Sequence, residues 1–228
     1  MKYIIKILLL ILSISSFYGC VFYIEDGTYN KKDIRSHLAP GYNTHDEFLE
    51  KLHIEINKVR DNPYFYAVEV LEPSLSRYNS YFYTNYDGKI IRTKEGKRAM
   101  EKCIFELKHS YSAKLLSMEK GLCNAAYHLA DDQAKTGRKD EETSTYLSFK
   151  DRLKRYGAPS GFIGELREYD SENVKDIVIH LLVSDGDITR AGRCLILNDS
   201  FTKIGIGVAF KHAKTVTIID LAEEYITD

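Results

Sequence analysis

The chain has 228 residues, of which 44% are hydrophobic and 29% are charged, a composition typical of one globular domain with an extension. A domain of this size can bury a substantial hydrophobic core. The formal net charge of -1 offers no basic surface, so a nucleic-acid partner has no electrostatic support and is excluded from the predicted partners.

The first 19 residues have the pattern of an export signal. Lys2 and Lys6 place two positive charges before the apolar run 7–14, and serines lead on to Gly19. The run is too short to remain as a membrane span, which needs about 20 apolar residues. We therefore expect residues 1–19 to be a signal peptide and the mature protein to be extracytoplasmic, either secreted or lipid-anchored at the cell envelope.

Cys20 directly follows Gly19, and this pair resembles the processing site of a bacterial lipoprotein. Acylation of Cys20 would attach the mature chain to a membrane. The alternatives are ordinary cleavage nearby without a lipid, or a cysteine that belongs to the apolar segment.

The remaining cysteines are Cys103, Cys123 and Cys194, and their spacing matches no metal-binding motif. Export would permit a disulfide, for which Cys103 and Cys123 are the candidates nearest in sequence. The alternative is that these cysteines are ordinary buried residues.

The first predicted elements follow an irregular leader at 20–44. Apolar residues at helical spacing predict a helix from Asp46 to Val59, with Pro63 just beyond its end. The stretch 81–92 is predicted to form a hairpin in which Asp87-Gly88 makes a type I′ turn. Its aromatic side chains either contact a ligand or form the packed face of the hairpin.

Capping residues predict the starts of further helices. Four helices are expected. The first begins at Thr93 and runs to about Lys108, and the second begins at Ser117 and ends at Gly137. The third begins at Ser148, with Asp151 in its first turn, and ends at Gly157, and the fourth begins at Ser171.

Strands are expected at 162–169, 203–210 and 215–221, with the last two forming an antiparallel pair. Within 203–210, bulky residues alternate with Gly205, Gly207 and Ala209, so one face of this strand allows another element to approach closely. We expect the helical segment 122–136 to lie there. This order of elements predicts an α+β fold in which helices lie on both sides of a central, mainly antiparallel sheet.

Several short motifs occur in a fixed order after residue 45. They are Ile56-Asn57-Lys58-Val59-Arg60-Asp61-Asn62-Pro63, Thr93-Lys94-Glu95-Gly96, the helical segment 122–132 with Ala125, Ala126, His128 and Asp132, the segment 149–157, Gly164-Glu165-Leu166, and the segment 184–197 followed by 204–208. This ordered set resembles the CAP superfamily (cysteine-rich secretory, antigen-5 and pathogenesis-related proteins; SCP domain), in its bacterial and protist branch. The resemblance implies a CAP-type α-β-α sandwich over residues 45–228.

The resemblance also implies a surface cleft with two histidines and acidic partners, and both histidines are missing here. The first would fall in the segment 138–142, and the second at Gly192. A catalytic zinc site needs three protein ligands and an open position, so we expect neither a metal nor another cofactor. Glu165 is retained, and we expect it to face Gly192 and to accept hydrogen bonds from Arg190 or Arg193.

Other acidic residues offer a rebuilt site. The fold implied by the resemblance would bring Asp140, Glu141, Asp185 and Asp187 near the cleft of Glu165, and hard oxygen ligands suit calcium or magnesium. The alternative is that 140–142 forms a solvated loop and that Asp185 caps a helix or turn.

Two histidines, His128 and His180, are weaker candidates for the cleft than the acidic residues. His128 lies four residues before Asp132 on one helix face, and we expect a structural role in preference to a place in the cleft. His180 stands among apolar residues and is expected to be a satisfied residue at the edge of an apolar face.

Two functions are consistent with these patterns. The first is an exported, non-enzymatic CAP-domain protein with a degenerate metal cleft, which binds a protein or a lipid or sterol ligand. The second is a hydrolase or metal-dependent enzyme with a rebuilt acidic site around Glu165. Motifs of the common hydrolase, phosphate-binding and dinucleotide-binding sites are absent from the sequence, and the missing histidines favour the first function.

Overall fold

A computed structural model describes residues 44–211 and 214–227. The predicted signal peptide, Cys20 and the leader up to residue 43 lie outside these residues. Among the described residues, no helix combines the length and the apolar character needed to cross a membrane.

The helices are α1 (His45–Asp61), α2 (Pro63–Tyr66), α3 (Glu72–Ser74), α4 (Lys97–Lys108), α5 (Lys120–Thr136), α6 (Phe149–Lys154), α7 (Val174–Val183) and α8 (Ala191–Leu197). The strands are β1 (Tyr78–Asn79), β2 (Phe82–Thr84), β3 (Ile90–Arg92), β4 (Ser117–Met118), β5 (Gly157–Tyr169), β6 (Lys203–Lys211) and β7 (Lys214–Thr227).

The main sheet has the strand order β4-β6-β7-β5, and β1-β2-β3 form a small separate sheet. In the main sheet only the short β4 runs parallel to its neighbour, so the sheet is mainly antiparallel. The predicted antiparallel pairing of the last two strands is confirmed, with Ile206 opposite Ile219. β5 begins earlier than predicted, because its first residues also pair with β7 across a β-bulge between Ser160 and Ile163.

Helix α5 packs directly on the glycine face of β6, as the alternation of small residues predicts. A β-carbon built at Gly205 would overlap the backbone of Leu122, and one built at Gly207 would overlap the backbone of Tyr127. These two positions have no side chain because the helix axis comes too close to the sheet to leave room for one.

The opposite face of the sheet carries the bulky side chains Ile204, Ile206 and Val208, all at most 1% exposed. They belong to a large apolar core that also contains residues of α1, α4 and α7. Helices therefore cover both faces of a mainly antiparallel sheet. The predicted fold class, an α+β fold with an α-β-α sandwich, is confirmed.

Arg60, near the end of α1, is fully buried and ties this helix to two distant segments. Its guanidinium donates to the carbonyl oxygens of Lys114 (2.6 Å), Ile196 (2.6 Å) and Phe201 (2.9 Å). Buried carbonyls need such partners, so the arginine of the first sequence motif has a structural role.

The hairpin is present, but its predicted type I′ turn is wrong. Gly88 has a φ of +77°, whereas Asp87 does not lie in the left-handed region that this turn requires of both residues. The amide of Gly88 donates to the carbonyl of Asn85 at 3.1 Å, and the amide of Asn85 donates to the carbonyl of Lys89 at 2.9 Å. The connection is therefore one residue longer, a type I turn followed by a left-handed glycine.

Three of the predicted helix caps are also wrong. The segment after Thr93 begins its helix only at Lys97, since the Thr93 hydroxyl donates to the carbonyl of Tyr81. Ser117 belongs to β4. The helix expected from Ser171 is capped by Asn173.

Two other helix signals act as predicted. Gly137 ends α5 with a φ of +73°, and Ser148 caps α6 by accepting a hydrogen bond from the amide of Asp151 at 3.3 Å. α6 itself stops at Lys154, and Gly157 opens β5.

The candidate disulfide between Cys103 and Cys123 is absent, and both residues are buried thiols. Cys103 lies on α4, where its thiol contacts the carbonyl of Leu182, whereas Cys123 lies on α5. The sheet stands between these two helices, so a bond between the two sulfur atoms is excluded.

Candidate functional site

A cleft of about 490 Å³ opens at the edge of the main sheet. Its walls come from the small sheet, the edge strand β5, helix α7 and the segment 184–192. Five residues singled out from the sequence line this cleft together, namely Glu165, His180, Asp185, Asp187 and Gly192. The residues that the resemblance assigns to one cleft are therefore brought together by the fold.

The expected partners of Glu165 are wrong. Its side chain is 5% exposed, and its two oxygens accept hydrogen bonds from Arg152 and from Arg167, whose Nε lies at 2.6 Å. Arg190 instead pairs with Glu95, and Arg193 pairs with Glu106, both at 2.6 Å. Both Glu165 oxygens are thus already held by guanidinium groups.

Arg152 joins this pair to a second buried carboxylate, that of Asp220. Asp220 stands directly opposite Glu165 on β7, and Arg152 Nη1 lies 2.8 Å from its Oδ2. Burial raises the pKa of Asp220 to about 7, against the opposing effect of the Arg152 charge. Two like charges on facing strands destabilise each other, and the buried arginine from α6 compensates both.

The acidic residues of the segment 184–192 are engaged in holding the backbone. Asp185 accepts hydrogen bonds from the amides of Lys94 (2.5 Å) and Glu95 (2.8 Å). Asp187 accepts from the hydroxyl and amide of Thr189 and from the amide of Ala191, and these hydrogen bonds lower its pKa. Both carboxylates therefore shape this loop, and Asp185 supplies the turn cap considered in the sequence analysis.

Gly192 lines the cleft, but a side chain at this position would point elsewhere. A β-carbon built at Gly192 would overlap the carbonyl oxygen of Leu181 and approach the hydroxyl of Ser184 at 2.9 Å. The glycine therefore allows α8 to approach the end of α7. A side chain at 192 would therefore collide with the end of α7, although Gly192 itself lines the same cleft as Glu165.

The other candidates lie outside the cleft wall. Asp140 pairs with Arg138 at 2.6 Å on an exposed loop, while Glu141 reaches Arg167 at 3.4 Å and so lies near the rim. His128 Nδ1 lies 3.3 Å from the hydroxyl of Tyr156, and burial lowers its pKa together with the nearby arginine charges. His128 packs against Tyr156, just beyond the end of α6, and does not line the cleft.

The sequence analysis missed a histidine and carboxylate pair in the cleft. His180 Nδ1 lies 2.9 Å from Glu168 Oε1, and the hydroxyl of Ser171 donates to the same carboxylate oxygen at 2.6 Å. Burial acts to lower the pKa of His180, but the hydrogen bond and the charge of Glu168 outweigh it, so the pKa is raised. A single histidine in the apolar helix α7 is the only sequence signal for this pair, and its partner Glu168 lies 12 residues earlier, on β5.

Tyr83, from the hairpin, packs its ring edge against His180 at a centroid distance of 6.2 Å. It is 2% exposed, whereas its neighbours Tyr81 and Phe82 are 54% and 48% exposed. Tyr83 therefore belongs to the packed face of the hairpin, whereas Phe82, on the other face of β2, and Tyr81, in the turn before it, are open to solvent.

Within residues 44–211 and 214–227, no group of three or more histidine, cysteine, aspartate or glutamate side chains is arranged to hold a metal ion. The cleft combines an apolar wall, a neutralised carboxylate network and one imidazole. Such a site is suited to binding a ligand through contacts with its walls.

Neither a protein-family model nor a curated protein matches the sequence. Among solved structures, the chain is similar to an extracellular protein containing an SCP domain from Bacillus anthracis, with 19% identity and a TM-score of 0.42. That match covers 55% of this chain and 38% of the other, so the chain spans about two fifths of the Bacillus protein.

The chain is also similar to an outer surface protein from Borrelia burgdorferi, with 11% identity and a TM-score of 0.47, covering 77% of this chain and 92% of that one. For the hookworm platelet inhibitor the identity is 12% and the TM-score 0.39, with 84% of this chain and 77% of that one covered. These similarities concern the fold alone.

Proposed function

We propose that this chain is an exported, non-enzymatic binding protein of the CAP type, in which the ancestral metal cleft is degenerate. The ordered motifs of the sequence support the family, and the α-β-α sandwich is consistent with it. The bound partner would be a protein or a lipid or sterol ligand, and the cleft beside Glu165 is the site we assign to it.

The arrangement of Glu165 is the observation that carries this proposal. A general base or a metal ligand needs a carboxylate oxygen that can turn to the substrate or the metal. Both oxygens of Glu165 accept hydrogen bonds from arginine side chains, and the side chain is almost fully buried. Turning either oxygen towards a substrate or a metal would break a hydrogen bond to an arginine, and one of these, Arg152, is fully buried, so its loss is costly.

We expect purified protein to retain well below one equivalent of zinc, calcium or magnesium after dialysis. Elemental analysis of the wild type and of the Glu165→Gln variant measures this. Gln keeps the size of the side chain and removes its charge, so both proteins should give the same low metal content. Stoichiometric metal in the wild type that is lost in Glu165→Gln would contradict the proposal and favour a metal-dependent enzyme.

Export is tested at the N-terminus of the protein isolated from its native cells. We expect removal of residues 1–19, so that the mature chain begins at Cys20, because the charged start and the apolar run precede Gly19-Cys20. Mass spectrometry of the N-terminal peptide gives both the cleavage site and any added acyl chain. A retained Met1 would contradict export, and an unmodified Cys20 would contradict membrane attachment.

A further inference from the structure

His180 presents one ring nitrogen to the cleft. Its Nδ1 is occupied by Glu168 and Ser171, and in the described part of the chain its Nε2 has no hydrogen-bond partner. The side chain is 23% exposed, and the residue lines the cleft. Because Glu168 accepts the Nδ1 proton, the imidazolium form carries a second proton on Nε2 that a ligand can accept as a hydrogen bond.

Each carboxylate of the cleft wall already accepts hydrogen bonds from the protein. Glu165 is held by two arginines, Glu168 by His180 and Ser171, and Asp185 and Asp187 by backbone amides. Of the oxygens of these four carboxylates, only Glu168 Oε2 has no hydrogen-bond partner among the described residues, so the wall offers few unused acceptors.

A second charged donor without a partner is the guanidinium of Arg92, at the end of β3. It lines the same cleft, is exposed, and makes no hydrogen bond or ion pair with the residues that the structure describes. The remaining wall includes the apolar side chains of Ile91, Leu166, Ile179 and Leu195.

We propose that this cleft binds a small organic anion, whose anionic head group is held by His180 Nε2 and the Arg92 guanidinium and whose apolar body lies on the wall formed by Leu166 and Ile179. The inference deepens the proposed function and rests on it in one respect, that the cleft binds its ligand without converting it. A cleft of this volume encloses a molecule the size of a substituted aromatic acid.

Binding of such an anion depends on pH. The charged groups that act on the His180 ring are Glu168 on β5, Asp176 on α7 itself and Asp185 in the following loop, and Tyr83 packs against it from the hairpin. The three carboxylates favour the imidazolium, and the pKa of His180 is raised above 6.5. As the pH rises through this pKa, Nε2 loses its proton and becomes an acceptor, so the affinity for an anion falls.

The test uses two fluorescent probes with the same aromatic body, anilinonaphthalene sulfonate and the neutral phenylnaphthylamine. A hydrogen bond to a charged group contributes about 1.5 kcal/mol or more, which is about tenfold in affinity. We therefore expect the sulfonate to bind about tenfold more weakly at pH 9 than at pH 6, and the neutral probe to show no such change.

Arg92→Gln and His180→Gln should each weaken sulfonate binding about tenfold at pH 6 and leave the neutral probe unaffected. Arg98→Gln and His109→Gln, at exposed positions outside the cleft wall, are the matched controls and should change nothing. Phenylbutanoate should displace the sulfonate probe more strongly than the neutral phenylbutanamide does. This result would show that the site also accepts a carboxylate head group.

Since Arg92 is exposed, its variant will fold even where the His180 variant does not. Equal binding of sulfonate and neutral probe, or unchanged binding in Arg92→Gln, would overturn the inference. If the sulfonate does not bind as expected but the metal content is low, the anion-binding inference is wrong and the proposed function stands. If metal is bound and sulfonate binding depends on pH, the proposed non-enzymatic function is wrong and anion binding at His180 and Arg92 stands.

Discussion

Replacing Arg152 with methionine is expected to lower the free energy of unfolding by about 3–5 kcal/mol, because removal of one partner from a buried ion pair leaves the other charge uncompensated. Arg152 is fully buried and holds both Glu165 and Asp220, which are 5% and 0% exposed. Methionine retains most of the apolar volume, so the loss comes from the charges. Urea denaturation followed by circular dichroism measures it.

The matched control is Arg138→Met, which removes an ion pair to Asp140 on the protein surface. Exposed pairs contribute about 0–1 kcal/mol, so this variant should unfold near the wild-type midpoint. Adding Asp220→Asn and Glu165→Gln to Arg152→Met removes the stranded charges and should recover part of the loss. Equal midpoints for Arg152→Met and the wild type would show that the arginine does not stabilise the sheet edge.

Gly207→Val is expected to cost about 3 kcal/mol or more. The added side chain would overlap the backbone of Ala126 and Tyr127 in α5, and backbone atoms yield less readily than the end of a flexible side chain. Helix α5 would have to move away from the sheet, and core contacts along its whole length would be lost. The same denaturation measurement gives the change in stability.

Glu224→Val, at an exposed position of the adjacent strand β7, serves as the control for β-propensity. Valine is a good strand residue, and surface substitutions of this kind usually change stability by less than about 0.5 kcal/mol. A Gly207→Val protein as stable as this control would show that α5 does not need the close approach.

The sandwich itself was predictable because its signals are local. Bulky and small residues alternate in 203–210, and this alternation distinguishes the two faces of β6 without information from other segments. Helical spacing of apolar residues identifies α1 in the same way. Gly137 and Ser148 act on backbone groups within four residues, so these caps follow from the sequence.

The start of α4 was not predictable in this way. The helix begins at Lys97 after Gly96, whose φ is +65°, and no side chain caps it, while the amides of Lys94 and Glu95 in the preceding turn donate to Asp185, about 90 residues further along the chain. Thr93 is the cap that the sequence predicts, but its hydroxyl donates to the carbonyl of Tyr81 in the hairpin. A long-range partner of this kind leaves no periodic pattern around the residues that it binds.

The sequence by itself determined the fold class and the strand pair, because spacing and order along the chain carry that information, while the cleft that Glu165 and Gly192 line was implied by the family resemblance. Only the tertiary structure decided how the cleft is charged. Side chains alternate between the two faces of β5, and Glu165 and Glu168 are an odd number of residues apart, so they lie on opposite faces. Glu165 therefore binds Arg152, whereas Glu168 binds His180. Which charge compensates which depends on distances between elements far apart in sequence, and buried charges are stable only where such partners converge.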